Sequence, residues 1–360
     1  MLPRRATKRV KVGRVEIGGG APISVQSMTK TDTRDKKATL AQIRRLEKAG
    51  CEIVRLAVPD RQAARALGDI RRGSALPVIA DIHFDHRLAL EALEAGVDGL
   101  RLNPGNIGSA DKVREVARAA LERRVPIRVG VNSGSVEKEL LARYGGATAE
   151  AMVESALRHV ALLEACGFDL IKVSLKASDI ERTLEAYRLL ATKVDYPFHA
   201  GVTEAGRLLG GSIKSAAGLA LLLAEGLADT VRVSLTAPPE YEVFAARKIL
   251  QSLGLGKGGV NFVSCPTCGR TSVDLFRVAD RVERALAKLD ADISVAVMGC
   301  SVNGPGEARE ADIGLACDRS GGVIFKEGLP VRRVPEKRLV ESFLKEVAKL
   351  VAERKKADER

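Results

Sequence analysis

The chain has 360 residues and a formal net charge of +12, and 46% of its residues are hydrophobic while 29% are charged. This composition is typical of a soluble globular protein of about two or three domains. With no tryptophan, four tyrosines and eight phenylalanines, the chain has few aromatic rings for stacking bases. We therefore expect no nucleic-acid partner, despite the net charge.

The N-terminal residues are basic but are not followed by an apolar segment, and no apolar run is long enough to cross a bilayer. These features predict a cytoplasmic protein without a membrane association. Six cysteines in a chain of this length do not form the framework of a disulfide-rich secreted protein. In a reducing compartment, clustered cysteines indicate metal ligands or catalytic thiols.

A repeating unit dominates the chain after a predicted hairpin over residues 10–19. Apolar, β-branched runs alternate with helical segments and cover residues 23–28, 51–58, 76–84, 97–103, 125–132, 169–176, 197–204 and 229–235. Glycines at four joints, in EKAGCEIVRL, LEAGVDGLRL, EACGFDLIKV and AEGLADTVRV, are typical of left-handed helix C-caps. Eight alternating units predict a (β/α)8 TIM barrel over residues 1–252, with a doubly wound open sheet as the alternative.

The last third of the chain has a different pattern. Residues 253–261 are rich in glycine and predict a linker. In residues 262–360 we expect a helix over 273–289, a strand over 293–299, a hairpin turning at Glu327-Gly328 and a closing helix from about residue 336 to 355. This mixture predicts a small α+β domain.

Positive charges interrupt the apolar runs of the predicted barrel. Five strands carry a cation, namely Arg55, Arg101, Arg128, Lys172 and Arg232. Parallel strands are normally apolar on both faces, and an unpaired buried charge is costly. Residues two apart share a face of a strand. The polar sets that result are Arg101 with Asn103, Arg128 with Asn132, Lys172 with Ser174 and Lys176, and Arg232 with Ser234.

Each polar set lies towards the C-terminal end of its strand, where a barrel of this kind opens its active site. The nearby carboxylates are few, Asp81 and Glu204, so positive charge exceeds negative charge there. Guanidinium and ammonium groups in excess predict a polyanionic substrate, most simply a small diphosphate. Glu204 is then a candidate proton donor or acceptor. The alternative is that these cations form structural ion pairs with Asp or Glu on neighbouring strands, and that Glu204 is one of those partners.

A second group of candidate residues surrounds the cysteines. Cys265 and Cys268 form a CPTC motif, Cys300 lies in MGCSVNGPGE, and Cys317 ends the predicted strand ADIGLAC. Structural zinc usually takes four ligands, often as two such pairs, and only one pair is present. Three cysteines suffice for three irons of a [4Fe–4S] cluster, which leaves the fourth iron for a weaker ligand. The spacing alone does not decide whether Cys317 or Glu307 belongs to the ligand set.

Seven motifs in order, ISVQSMTKTDT, ADIHF, LRLNPGN, VGVNSGS, GVTEAG, SCPTCGR and MGCSVNGPGE, resemble those of the 4-hydroxy-3-methylbut-2-enyl diphosphate synthases. The resemblance extends from about residue 5 to 350 and is to the compact bacterial form. It implies a barrel followed by an iron–sulfur domain similar to the half-domains of sulfite reductases. The implied reaction is the reductive dehydroxylation of 2-C-methyl-D-erythritol 2,4-cyclodiphosphate in isoprenoid synthesis.

The same resemblance implies roles for individual residues. The implied ligands of a [4Fe–4S] cluster are Cys265, Cys268, Cys300 and Glu307. The implied diphosphate contacts are Arg55, Arg101, Arg128, Asn132, Lys176, Arg232 and Ser234, to which the face shared with Arg101 adds Asn103. Glu204 matches the catalytic glutamate, and Cys317 becomes a bystander.

The resemblance also implies partners, namely an acidic flavodoxin or ferredoxin as electron donor and a head-to-tail homodimer. Two other interpretations compete with it. One is a phosphate-binding barrel of the pterin-binding transferase type with an appended zinc module. The other is a basic nucleic-acid-binding protein stabilised by zinc.

Overall fold

The computed structural model describes residues 1–256, 259–287, 289 and 291–358, with only the backbone of residues 357 and 358. Residues 257 and 258 of the predicted linker and residue 288 of the predicted helix lie outside this part. The chain divides into two compact units, Met1–Leu255 and Gly256–Arg360. No helix of the described ranges is both long and apolar enough to span a membrane.

The first unit contains an antiparallel hairpin followed by eight parallel strands. The strands are β1 (Val10–Val12), β2 (Val15–Ile17), β3 (Ser24–Met28), β4 (Ile53–Ala57), β5 (Val78–Asp81), β6 (Gly99–Arg101), β7 (Ile127–Asn132), β8 (Ile171–Lys176), β9 (His199–Ala200) and β10 (Thr230–Val231). The parallel sheet runs in the order β8-β7-β6-β5-β4-β3-β10-β9. A further parallel bridge between Val173 and Phe198 joins its two ends. This closure confirms the predicted barrel and excludes the open sheet.

Nine helices of the described residues connect the strands on the outside of the barrel. They are α1 (Lys36–Lys48), α2 (Arg61–Gly73), α3 (His86–Glu94), α4 (Ala110–Glu122), α5 (Lys138–Tyr144), α6 (Ala149–Glu164), α7 (Ile180–Ala191), α8 (Leu208–Ala224) and α9 (Pro239–Ser252). Aspartates cap the first backbone N–H groups of four of them, at Asp35, Asp60, Asp85 and Asp179. The joint glycines have φ between 70° and 90°, as predicted for C-caps, at Gly50, Gly96, Gly167 and Gly226.

The hairpin closes one end of the barrel. Its apolar side chains Val10, Val12 and Ile17 form a cluster with Ile53 and Ile79, which lie near the amino-terminal ends of β4 and β5. The helices bury the outward-facing side chains of the strands in a separate and larger core. The polar interior of the barrel therefore opens at the other end, where the carboxyl-terminal ends of the strands lie.

The second unit is a mixed five-stranded sheet with helices on both faces. Its elements are β11 (Val260–Ser264), α10 (Leu275–Leu286), β12 (Ile293–Met298), α11 (Gly304–Glu310), β13 (Ile313–Asp318), β14 (Gly321–Lys326), β15 (Leu329–Pro335) and α12 (Leu339–Asp358). The sheet order is β11-β12-β13-β14-β15, in which the first three strands are parallel and the last three antiparallel. Glu327 and Gly328 both have positive φ and form the predicted turn.

Alternate residues of β12 determine which helix covers which face. Val295 and Val297 pack into a core with residues of α10 and α12. Ala296 and Met298 point the other way and pack with Ala308 of α11. The short helix α11 therefore covers the face of the sheet opposite α10 and α12.

Candidate functional site

A cavity of about 210 Å³ opens at the carboxyl-terminal ends of the barrel strands. Its lining is almost entirely polar and comprises Arg55, Asp81, His83, Arg101, Arg128, Asn132, Ser174, Lys176, Thr203, Arg232 and Ser234. Seven residues predicted to contact a diphosphate are among them. Parallel strands end at one rim of a barrel, which is why residues far apart in sequence meet here.

Asp81 is the carboxylate inside the cavity. Its Oδ2 lies 3.6 Å from Arg55 Nε, and its Oδ1 lies 3.4 Å from Arg101 Nη1. Burial alone would raise the pKa of Asp81, but Arg55, His83 and Arg101 together hold that pKa well below its usual range. Asp81 is therefore ionised and offsets part of the surrounding positive charge.

A second carboxylate, Glu242, lies behind the cavity on α9 and was missed by sequence reasoning. Glu242 Oε2 lies 3.6 Å from Arg232 Nη2, and Oε1 lies 3.0 Å from Lys30 Nζ. Oε1 also accepts a hydrogen bond from Leu235 N at 3.1 Å. The sequence did indicate that Glu242 is unusual, because this carboxylate interrupts the buried apolar stripe of α9 beside Val243.

The cavity keeps an excess of positive charge. Five cations line it. In the part of the chain that the structure describes, two carboxylates contact these cations, Asp81 and Glu242. Arg128 is 1% exposed, and its Nε and Nη1 have no hydrogen-bond partner in the described part of the protein. Burial, Arg55 and Arg101 lower the pKa of Arg128. An anion in the cavity would supply acceptors for these donors and relieve the repulsion.

Two predicted site residues do not line the cavity. Asn103 is buried, and its Oδ1 accepts a hydrogen bond from Gly130 N at 2.9 Å, so it ties the turn after β6 to β7. Glu204 is exposed on the loop after β9 and has a φ of 51°, a left-handed conformation that is uncommon outside glycine. The next residue towards β9, Thr203, does line the cavity.

Other lining residues, His83, Ser174 and Thr203, were not among the predicted contacts. The two-residue alternation nevertheless places Ser174 on the same face of β8 as Lys172 and Lys176, towards the mouth of the barrel. His83 and Thr203 follow their strands in irregular segments, where the two-residue alternation no longer predicts direction. His83 stacks obliquely against Phe84, with 5.9 Å between ring centroids.

Cys265, Cys268 and Cys300 lie in the second unit, beyond the carboxyl-terminal ends of two strands of its sheet. Cys265 follows β11 and Cys300 follows β12, and these strands are parallel neighbours. Cys265 N donates to Val297 O at 3.2 Å, and Ser272 N donates to Gly299 O at 3.0 Å. These bonds hold the loop that carries Cys268 beside the end of β12.

Backbone donors surround the sulfur atoms. Thr267 N donates to Cys265 Sγ, and Arg270 N donates to Cys268 Sγ, each at 3.4 Å. Thr267 adopts a φ of 68° in this turn. Backbone N–H groups of Asn303 and Val302 lower the pKa of Cys300. Such donors favour the thiolate, which is the form of cysteine that binds metals. In iron–sulfur proteins, hydrogen bonds to sulfur also shift the reduction potential of the cluster.

Glu307 and Cys317 lie on different faces of the same sheet. Glu307 is in the first turn of α11, which follows Cys300. Cys317 lies in the apolar core under α10 and α12, and burial raises its pKa to about 12. Among the residues the structure describes, no three His, Cys, Asp or Glu side chains are close enough to hold a metal ion. Sulfur donors that follow two neighbouring strands, with backbone N–H groups directed at them, are of the type that iron–sulfur centres use.

Two family models match this chain over most of its length. The GcpE TIM-barrel domain matches residues 7–247, and the GcpE protein C-terminal domain matches residues 261–349. The chain belongs to the GcpE family.

Two relatives of high sequence identity agree with this assignment to the GcpE family. A 4-hydroxy-3-methylbut-2-en-1-yl diphosphate synthase (flavodoxin) of Geobacter sulfurreducens is 60% identical over 348 residues, which cover 97% of this chain and 99% of that protein. The protein of the same name from Ruminiclostridium cellulolyticum is 55% identical over 349 residues, with 97% and 99% covered.

Among solved structures, 3-dehydroquinate dehydratase from Geobacillus kaustophilus superposes with a TM-score of 0.51 and 16% identity. The match covers 69% of this chain and 98% of that one. At this identity the likeness concerns the fold alone.

Proposed function

We propose that this chain is an oxidoreductase that converts 2-C-methyl-D-erythritol 2,4-cyclodiphosphate into (E)-4-hydroxy-3-methylbut-2-enyl diphosphate. The cyclic dianion takes up two electrons and one proton and yields a linear trianion and one water. One ring C–O bond to phosphate breaks, and one hydroxyl leaves as water. The observation that carries the proposal is the cation-rich cavity at the ends of the barrel strands in a chain of the GcpE family.

The cations of the cavity bind and orient the diphosphate in this proposal. Arg55 comes from β4, and Arg101 and Arg128 come from the neighbouring strands β6 and β7, so that all three present planar donors to the cavity. Lys176 ends β8, Arg232 follows β10, and Asn132 and Ser234 add neutral donors, so donors lie around the rim from β4 to β10. A ligand held from both sides keeps its ring carbon near one place, which is what positioning contributes to rate. Asn103 acts by holding the backbone of β7.

Glu204 supplies the proton to the departing hydroxyl. Its loop is held on one side by the hydrogen bond from Thr203 N to Ala177 O at 3.3 Å and on the other by that from Thr236 N to Gly206 O at 2.9 Å. Strained backbone conformations of this kind persist when the surrounding structure enforces them, often at active sites. The position of Glu204 beside Thr203 at the cavity rim supports this role.

The second unit holds a [4Fe–4S] cluster through Cys265, Cys268, Cys300 and Glu307. The thiols lie on adjacent parallel strand ends, and the backbone donors to Sγ favour their ionised form. A bound cluster supplies electrons one at a time. Cys317, which faces the opposite core, takes no part.

An acidic flavodoxin delivers the electrons, in keeping with the names of the relatives, and ferredoxin is the other candidate donor. The net charge of +12 favours association with such a partner, and added salt would weaken it. We also propose a cytoplasmic head-to-tail homodimer. Sedimentation of the intact chain at micromolar concentration tests that state directly.

The decisive experiment is a metal and sulfide analysis of chain purified without oxygen, followed by turnover with dithionite and the cyclic diphosphate. About four irons and four sulfides per chain, with formation of the linear diphosphate, would support the proposal. One zinc per chain without sulfide would instead make the CPTC segment a structural clip, and the proposed reaction would be wrong.

A further inference from the structure

A layer of buried polar side chains lies deeper in the barrel than the cavity. We call Lys172, His199 and Thr230 the inner polar layer. Each is at most 1% exposed. Lys172 lies two residues before Ser174 on β8, so it shares the inward face of that strand about 6.6 Å further from the mouth. His199 and Thr230 are paired in register on β9 and β10.

The polar atoms of this layer have no protein partners. Lys172 Nζ, both ring nitrogens of His199 and Thr230 Oγ1 make no hydrogen bond to any described residue. Buried polar groups are nearly always paired, and those that are not call for an explanation. The hairpin below the layer packs apolar side chains against the barrel, namely Val10, Val12 and Ile17.

Positive charge surrounds Lys172 without a carboxylate of its own. Arg128 pairs in register with Lys172 on the neighbouring strand. Asp81 is engaged by Arg55 and Arg101, and Glu242 by Arg232. Other charged or titratable groups near this layer in the described residues include Lys176 on β8, and the Tyr187 hydroxyl donates to His199 O at 2.7 Å. Asp229, the residue before Thr230, is paired with Arg4 at 2.7 Å.

We propose that Lys172 is a proton-uptake residue, which is mostly neutral in the free protein at pH 8 and gains a proton from solution when a polyanion binds in the cavity above it. This inference rests on the proposed function, because it needs a polyanionic ligand. Arginines keep their protons at neutral pH, so a lysine is the side chain in this cluster that can release charge. The negative charge of the bound anion offsets the positive charge of the arginines. A charged ammonium group is then stable at the buried position of Lys172.

The known tendencies of buried lysines agree with the geometry. Burial and the adjacent Arg128 lower the pKa of Lys172 to about 7. Lys176 is subject to the same influences, and burial lowers its pKa well below the ordinary value. Lys176 lines the open cavity, however, where water and ligand reach its Nζ directly. Lys172 lies below the cavity lining, so a ligand changes its protonation state through the electrostatic field and not through direct contact.

The ligand itself cannot account for a proton taken up near neutral pH. In the cyclic diphosphate each phosphorus carries one ester bond and one anhydride bond, so each has a single, strongly acidic hydroxyl. The second phosphate ionisation near pH 6 belongs to monoesters and is absent here. Protons that disappear from solution on binding must therefore go to the protein.

Titration calorimetry on the intact holoprotein without reductant tests the inference. The cyclic diphosphate is titrated at pH 8 in HEPES and in Tris, which differ in ionisation enthalpy. We expect an uptake of about 0.9 proton per chain, since a group of pKa 7 is about one-tenth protonated at pH 8. The affinity should fall by up to about tenfold per pH unit above pH 7.

Lys172→Met is the matching variant, and Lys193→Met, an exposed position after α7, is its control. We expect the uptake to be smaller by about 0.9 proton per chain in Lys172→Met than in the wild type, and to be unchanged in the control. An uptake in Lys172→Met equal to that of the wild type would overturn the assignment to Lys172. If that variant does not fold, the wild-type titration still decides, because binding without proton uptake overturns the inference and leaves the proposed function intact. Failure to bind the cyclic diphosphate at all would overturn both.

Discussion

Arg55 and Asp81 face each other from neighbouring strands with Nε 3.6 Å from Oδ2, which is longer than a hydrogen bond. The guanidinium of Arg55 instead directs Nη2 and Nε to Met28 Sδ, at 3.0 and 3.3 Å. A thioether is a weak acceptor. The N–H donors of Arg55 therefore remain available to a ligand. Asp81 reduces the repulsion between arginines that would otherwise destabilise the free protein.

Asp81→Asn should destabilise the free protein at pH 7 by about 3–5 kcal/mol, because it leaves buried guanidinium groups without their counter-ion. The folded-state pKa of Asp81 is depressed, so its contribution is present above about pH 4 and is lost as the pH falls further. The loss of stability caused by Asp81→Asn should therefore be smallest at low pH. Thermal unfolding at pH 7 and at pH 2.5 measures this effect.

The cyclic diphosphate should raise the Tm of Asp81→Asn more than that of the wild type, since the ligand replaces the missing negative charge. Asp111→Asn, at an exposed aspartate on α4, is the matched control and should change little. Equal losses of stability at both pH values would show that Asp81 acts through packing and not through its charge.

Glu204→Gln should lower kcat by about 10²–10⁴-fold and leave KM within a few-fold, because the amide keeps the shape of the carboxyl but cannot donate its proton. Iron content and binding of the cyclic diphosphate should be unchanged. Steady-state kinetics with dithionite and calorimetry measure these quantities. Glu181→Gln, on the exposed face of α7, is the control. Turnover equal to that of the wild type would remove Glu204 from the mechanism.

Asn103→Ala and Ser234→Ala should separate a structural from a binding role. Loss of the Asn103 side chain leaves Gly130 N–H without its acceptor, so we expect a destabilisation of about 1–3 kcal/mol. Ser234 lines the cavity, and its replacement should raise KM by about 2–10-fold with little change in stability. Denaturant unfolding and kinetics on both variants suffice. A stable Asn103→Ala with a raised KM would restore Asn103 as a substrate contact.

Cys300→Ser should lose iron, whereas Cys317→Ser should retain the full iron and sulfide content. Both cysteines are buried, so each variant serves as a control for the other. Only Cys300 lies at the strand end beside Cys265, and Cys317 faces the core under α10 and α12. Iron and sulfide analysis after purification without oxygen measures the difference. Iron loss in Cys317→Ser, with an intact cluster in Glu307→Ala, would exchange the roles of Cys317 and Glu307.

Local patterns predicted the architecture of the barrel because secondary structure depends on neighbours in sequence. Apolar runs and joint glycines each act within a few residues, so the eight units could be recognised one at a time. The cations at the strand ends could also be placed, since parallel strands bring their carboxyl ends to one rim. For the same reason, Cys265 and Cys300 could be expected near each other once β11 and β12 were parallel.

Contacts between distant elements decided the rest. Glu242 reaches Arg232 from a helix, and Asn103 turns towards Gly130 on the next strand. Neither follows from periodicity, because both depend on side-chain direction in irregular segments or on packing between layers. The sequence by itself determined the barrel, its cationic rim and the cysteine motif. Only the tertiary structure decided which charges are paired and that Lys172 lies beneath the cavity, because burial and electrostatic fields are sums over residues that the chain brings together from far apart.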